Sequence, residues 1–345
     1  STASSSGCKS AYRNAMSGRT AYVSVFLAVL CCGTDSICLL QTSVLNASVK
    51  ARAGVVPSKV LDSSTGAQIP MVAMGTWPAS FDHGTSSDQV TEALTTWISL
   101  GGRHIDTADV YGNQADVGRA IEKVKGTVGR DQLFITSKVP GPIGYDRARS
   151  MVINDMLPKL QTDHVDLLLM HWPCTRERFN RCDGQDGLSE RVDTWRALEE
   201  LRAEGKARSI GVSNFGVHHL EPFFDAVRRD LGGPPNVTAN QVQWNLDDHD
   251  DGLLSWCTQN HITLEAYSAL GGKANGVVAA LQTPAVVSIA EAQGVKPAQV
   301  IFRWVVQRGI VLVSNSDNPT HMAEDLDPLF AFKLTEADMN TLDSL

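Results

Sequence analysis

"GGRHIDTADVYGNQADVG", residues 101–118, begins as a short apolar strand, ends it on a carboxylate, Asp106, and places a tyrosine, Tyr111, just beyond in a polar turn. Burying a charge at the end of a strand is costly unless the charge is paired. Asp106 could instead cap a following helix, and Tyr111 could be surface packing. The surrounding chain decides between these readings. Outward from this stretch, short apolar runs alternate with longer amphipathic ones. Strands are expected at 71–76, 103–106, 132–136, 165–170, 209–212, 237–241, 263–266 and 309–313. Helical stretches are expected at 87–100, 146–160, 190–205, 217–230, 250–260 and 285–293, with Ser86 and Ser87 as a helix start and Gly205 and Gly294 as stops. Before the first strand, "SKVLDSSTGAQIP" (58–70) reads as a hairpin turning at Gly66. Strands and helices in this alternation predict an α/β fold, a (β/α)8 TIM barrel with an N-terminal β-hairpin. The competing doubly wound dinucleotide fold would want G-x-G-x-x-G after an early strand, and none is present there.

The 345 residues are 43% hydrophobic and 20% charged, enough apolar material for a sizeable core. A formal net charge of −8 argues against nucleic acid as a partner, which calls for a basic face. The apolar residues come in short runs, so no stable membrane insertion is expected. Two regions are expected: a leader at 1–55 and the barrel at 56–345. The leader carries only basic charges (Lys9, Arg13, Arg19) until Asp35 and is apolar from Tyr22 to Cys32. That is the shape of a secretory signal or an organelle-targeting segment, with a disordered appendage or a membrane anchor as alternatives. Without such a signal the chain would be cytoplasmic. Cys8, Cys31, Cys32 and Cys38 lie in the leader, leaving Cys174, Cys182 and Cys257 for the body. These three predict neither a disulfide framework nor a zinc site, and the body reads as a domain of a reducing compartment.

In a barrel of this kind chemistry sits at the C-terminal ends of the strands. There the sequence offers Asp106 and Tyr111, Lys138 closing "LFITSKV", His171 and Trp172 closing "VDLLLMHWP", Ser213 and Asn214, Asn240 and Gln241, and Tyr267 and Ser268. A lysine or histidine ending one apolar run is ordinary; four ionisable groups on three consecutive strands ask for a shared purpose. A lysine cation beside a tyrosine lowers its high pKa, a carboxylate keeps the lysine charged, and a histidine can steady charge developing on a carbonyl oxygen. Such a set would reduce a carbonyl if a hydride donor lay alongside.

Together "GGRHIDTADVYGN", "FITSKV", "DLLLMHWP", "SIGVSNF", "NQVQWN" and "LEAYSALG" resemble the successive motifs of the aldo-keto reductase superfamily, in that family's order, from about Lys59 onward. The resemblance implies a (β/α)8 barrel binding NADP(H) or NAD(H) and an enzyme acting on a small-molecule aldehyde or ketone as a monomer. It also implies a catalytic tetrad of Asp106, Tyr111, Lys138 and His171, with Tyr111 as proton donor. Ser213, Asn214 and Gln241 match the residues that hold the carboxamide, Tyr267 the ring stacked on the nicotinamide, and Ser268 and Leu270 positions along the pyrophosphate. Trp77 and Trp172 are expected as apolar walls of the substrate pocket, with simple packing the alternative. A cofactor-binding regulatory subunit with little turnover is the second reading of the same motifs.

The strand-eight loop departs from the pattern. "LVSNSDNPTHMAEDL" carries Asn315 and His321 where the family has a lysine and an arginine that meet the 2′-phosphate of NADPH. Ser316 lies beside this position, Glu324 matches an adenine contact, and Asp317 and Asp325 are expected to repel a phosphate. Gln114 and Ala269 replace the usual glutamate and proline. "DDHDDG" (247–252) reads as a solvated helix start rather than a metal site, "CDGQDG" (182–187) as a turn, and His218 and His219 as an exposed helix start.

Overall fold

The computed structural model describes residues 56–62, 65–77, 87–175, 182–274 and 277–345; the expected leader lies outside them. The chain opens with an antiparallel hairpin of β1 (Ser58–Asp62) and β2 (Ala67–Pro70) around Gly66 at φ 71°. The left-handed conformation at Gly66 is one that a residue with a Cβ adopts at a cost, which is why glycine turns this loop. Lys59 Nζ donates to the Gly309 carbonyl and Arg202 pairs with Asp62, so the hairpin lies against segments that precede barrel strands.

Eight parallel strands then close a barrel: β3 (Val72–Gly75), β4 (His104–Asp106), β5 (Phe134–Val139), β6 (Val165–Met170), β7 (Ala207–Ser213), β8 (Ala239–Gln243), β9 (Thr263–Tyr267) and β12 (Val311–Ser314), with β12 pairing both β9 and β3. A small hairpin, β10 (Lys273–Ala274) with β11 (Val277–Val278), leaves the barrel after β9. Every residue of β5 and β6 is buried, as expected of strands covered on both faces. Closure excludes the doubly wound alternative.

Helices pack outside. In α1 (Ser87–Ser99), Val90, Ala93, Leu94, Trp97 and Ile98 recur at helical spacing and are all buried. The helix α2 (Gln114–Val124) was not among the expected stretches; its Gly118, a poor helix former, is there because a Cβ would fall 2.1 Å from the Lys159 carbonyl oxygen. The expected 146–160 helix is α3 (Tyr145–Met151), a π-turn at Val152–Met156 and α4 (Leu157–Leu160). Then come α5 (Leu188–Ala203), α6 (Val217–Leu231), α7 (Asp251–Gln259), α8 (Pro284–Gln293), α9 (Pro297–Gln307), α10 (Pro319–Glu324), α11 (Asp327–Phe330) and α12 (Glu336–Asp343). Asp250 caps α7 by accepting from the Leu253 amide, so "DDHDDG" is a helix start.

Three expectations are corrected. Cys174 and Cys182 form a disulfide with Cα atoms 5.7 Å apart, although no disulfide was expected; it staples one loop, a local proximity that cysteine counting does not reveal. His219 is buried rather than exposed, contacting the Cys182 carbonyl through Nε2, while its neighbour His218 is exposed. Asp325 is buried at the end of α10, and burial pushes its carboxyl up to about 7, so it is not a simple surface charge facing a phosphate.

Candidate active site

β4 and β5 run in parallel register with Asp106 opposite Thr136, which places Lys138, one pleat period further, on the same face as Asp106. The ammonium of Lys138 donates to both Asp106 oxygens at 2.7 and 2.8 Å, to the Thr107 carbonyl at 3.1 Å and to the Tyr111 hydroxyl at 3.3 Å. Lys138 is fully buried. Burial works against its charge, but Asp106 and Tyr111 outweigh that and raise its pKa. Tyr111 is held by a 3-10 turn, Asp109–Tyr111, that Gly112 ends at φ 72°. Behind that turn, Asn113 Nδ2 donates to the Thr76 carbonyl at 2.7 Å, and Gln114 Nε2 donates to Ser137 Oγ at 2.9 Å. The turn is thereby tied to the strands on both sides, and Gln114 takes up a polar neighbour of Lys138.

The phenol of Tyr111 does not behave as simply as expected. Burial raises its pKa, the Lys138 charge opposes the rise, and the net direction is upward. Tyr111 therefore stays protonated, and Lys138 stands ready to stabilise a phenolate once the proton leaves. His171, at the end of β6, lies edge-on to Tyr111 with ring centroids 5.8 Å apart. Burial, with Lys138 adding, pushes its imidazole down to about 3, so the ring is neutral near pH 7. Its Nδ1 is buried without a partner, which favours the tautomer with hydrogen on Nε2: an orphaned lone pair costs less than an orphaned N–H.

The tryptophans flank this group. Trp77 meets Tyr111 edge-on at 4.9 Å and is 48% exposed, and Trp172 stacks on His171 at 5.9 Å. Beyond the tyrosine turn opens a cleft of about 560 Å³ lined by Asp109, Val110, Gly141, Arg147, Met151 and Glu190.

Around the barrel mouth, Asn214 has a left-handed backbone at φ 65°; its Nδ2 donates to the His171 carbonyl and Ser213 Oγ, and its Oδ1 accepts from the Tyr267 hydroxyl at 2.7 Å. Ser213 Oγ donates to the Gln241 carbonyl at 2.7 Å, and Asn240 reaches the Phe215 carbonyl. Ser268, at φ 54°, starts a turn closed by the Gly271 amide, with Leu270 half-buried inside it. At the end of β12, Asn315 Nδ2 donates to the Trp77 carbonyl at 3.3 Å while its Oδ1 is buried without a partner. Ser316 Oγ accepts from the Asn318 amide, His321 is exposed on α10, and Glu324 pairs with Lys296 at 2.5 Å. The structure thus brings Asp106, Tyr111, Lys138 and His171 together and sets Asn214 and Gln241 against them. The strand-eight set lies at the neighbouring rim.

Two residues had no place in the sequence reading. Glu265 on β9 is fully buried beside Gln241; the signal was an acid inside the apolar run "TLEAY". Arg191, also fully buried, donates to the carbonyls of Pro173, Asp183, Gly184 and Asp186 and contacts Cys182 Sγ, holding the loop that follows Trp172. Only its position inside a helical apolar face hinted at burial.

A barrel with an Asp–Lys–Tyr relay and a neutral histidine at its C-terminal mouth defines a class of nicotinamide-linked oxidoreductases. The profile of the Aldo/keto reductase family matches residues 71–345, and the chain belongs to that family. Aldehyde reductase YPR1 of Saccharomyces cerevisiae is 33% identical over 303 residues, covering 84% of this chain and 91% of the yeast protein. Glycerol 2-dehydrogenase (NADP(+)) of the same yeast is 31% identical over 277 residues, covering 76% and 83%. The crystal structure of a Bombyx mori aldo-keto reductase in complex with NADP superposes with a TM-score of 0.71 at 29% identity, covering 84% of this chain and 93% of that one.

Proposed function

We propose that the protein reduces aldehydes or ketones to alcohols with a nicotinamide dinucleotide, Tyr111 giving the proton. The observation that carries this reading is the single ammonium of Lys138 bonded at once to Asp106 and Tyr111, beside a neutral His171. The dinucleotide, when bound, supplies the hydride. The chain's own residues do the rest. His171 Nε2–H orients the carbonyl oxygen, Tyr111 delivers its proton to that oxygen, and Lys138 holds the resulting phenolate. Asp106 keeps Lys138 charged in a site from which water is excluded. Trp77 and Trp172 form apolar walls against which a carbonyl substrate packs.

Polar groups at the mouth support a fit to the dinucleotide. Ser213, Asn214 and Gln241 offer amide and hydroxyl groups to a carboxamide, Tyr267 a ring to stack on the nicotinamide, and Ser268 and Leu270 a turn toward the pyrophosphate. At the adenosine end, Asn315 gives one of its two amide hydrogens to the Trp77 carbonyl, and it carries no charge where the family has a lysine. A neutral amide lacks the charge-assisted bond with which a lysine meets a 2′-phosphate, whereas a ribose 2′-hydroxyl asks for no charge. With His321 in place of an arginine, the protein takes NADH at least as readily as NADPH. The test is cofactor oxidation with both dinucleotides over a small aldehyde panel. Turnover supports the enzyme; tight binding without turnover supports the regulatory reading.

A further inference from the structure

We propose that Glu265 is a positioning residue for the nicotinamide carboxamide: with Asp106 it uses up both amide hydrogens of Gln241, so that Gln241 meets the ligand only as a hydrogen-bond acceptor. This rests on the cofactor reading above and adds to it a residue on the far side of Gln241. The two strands set the pair directly: Gln241 on β8 and Glu265 on β9 are register partners, so both side chains project from the same face. Gln241 Nε2 donates to Asp106 Oδ2 at 2.8 Å and to Glu265 Oε2 at 3.3 Å. Its main-chain oxygen is already taken by Ser213 Oγ and the Asn214 amide. A side-chain amide has two N–H donors and one oxygen, so the oxygen is what remains for a ligand. A carboxamide NH₂ is the group that such an oxygen recognises.

The carboxyl suits the task. Glu265 is fully buried, and its Oε1 has no partner. The groups facing it are Asp106, Lys138 and Gln241. Burial, with Asp106 adding and Lys138 opposing, pushes its pKa up to about 8. A neutral acid accepts from Gln241 without adding a second negative charge beside the Asp106–Lys138 pair. Without this second acceptor one Gln241 hydrogen is free, and the amide can turn to offer a donor instead.

The experiment compares dissociation constants, read from tryptophan fluorescence, for the reduced nicotinamide dinucleotide and its 3-acetylpyridine analogue, in which a methyl replaces the carboxamide NH₂. Wild type is expected to bind the carboxamide form at least about tenfold more tightly, the range of one well-made hydrogen bond. Glu265→Leu should narrow that ratio to about threefold or less, whereas Glu265→Gln, whose amide oxygen still accepts from Gln241, should keep it. Glu265→Met, apolar and of matching length, gives the same comparison if leucine cannot be accommodated. A wild-type ratio in the apolar variants, or a ratio lost in Glu265→Gln, overturns the inference. Failure of wild type to bind either dinucleotide would take down the cofactor reading itself, a distinguishable result.

Discussion

Lys138 donates to both carboxylate oxygens of Asp106, at 2.7 and 2.8 Å, with the lysine wholly and the aspartate almost wholly removed from solvent. Removing one partner of a buried pair leaves the other charge uncompensated, which costs about 3–5 kcal/mol. The same pair therefore matters to folding and, on the proposed function, to the proton relay, and variants at Tyr111, at the outer end of that proposed relay, separate the two better than variants at Asp106.

Stability of the ligand-free protein should peak near pH 6.5. His104, His171 and His219 are pushed down to about 3, 3 and 4 by burial, so below pH 6.5 the unfolded chain binds their protons and the native state does not. Glu265 and Asp325 are pushed up to about 8 and 7, so the native state holds protons that the unfolded chain has already released. Between about pH 4.5 and 6 the three histidines outweigh the two acids by one proton, and stability rises by about 1.4 kcal/mol per pH unit. Above pH 6.5 the acids outweigh the half-protonated histidines of the unfolded chain, and about 1–2 kcal/mol is lost by pH 8.5. Urea unfolding at pH 5, 6.5 and 8.5 checks this; stability that holds level to pH 8.5 would count against the buried-acid assignment.

The proposed cofactor choice rests on Asn315 and His321. Each charged hydrogen bond to a phosphate is worth about 1.5–3 kcal/mol, so Asn315→Lys with His321→Arg should shift preference toward NADPH by about a hundredfold or more. Dissociation constants for both dinucleotides, measured side by side in wild type and the double variant, decide it. Strong NADPH selectivity in wild type would show that other groups of this loop supply the phosphate contacts.

Arg191, buried, holds four backbone carbonyls of the loop after Trp172, with the charges of Asp183 and Asp186 nearby. Arg191→Met should cost about 3 kcal/mol or more and raise KM for the carbonyl, since Pro173 and Trp172 lose their anchor. Denaturant midpoints and steady-state kinetics together would reveal it. A variant as stable as wild type would mean that the loop is held by the Cys174–Cys182 disulfide alone.

The leader is proposed to be separate from the barrel. Deleting residues 1–55 should leave turnover and thermal midpoint unchanged, and fusing them to a fluorescent reporter should move it out of the cytosol. A reporter that stays diffuse would remove the targeting role.

Legibility followed periodicity and motif order. The eight barrel strands were readable because buried parallel strands are nearly continuous apolar runs, and "FITSKV" and "VDLLLM" end where the chemistry begins. The helix at Gln114–Val124 was not, since Gly118 answers to a close approach by Lys159 that no local pattern displays. The disulfide, the buried His219 and the raised Asp325 are likewise products of tertiary proximity. Glu265 shows the limit best: its spacing marks a strand, but only the closed barrel puts its carboxyl against Gln241 and, through that amide, next to Asp106.

The central claim is that Tyr111 donates the proton, and Tyr111→Phe tests it most directly. Phenylalanine keeps the ring against Trp77 and His171 and removes only the hydroxyl that Lys138 touches. Steady-state reduction of a simple aldehyde, alongside fluorescence titration of the reduced dinucleotide, gives rate and binding from the same preparation. A positioned general acid contributes about 10²–10⁴-fold, so kcat should fall by roughly 10³-fold while the cofactor dissociation constant stays within about twofold of wild type. Turnover near the wild-type rate in Tyr111→Phe, with the cofactor bound normally, would contradict the assignment of the Asp106–Lys138–Tyr111 relay.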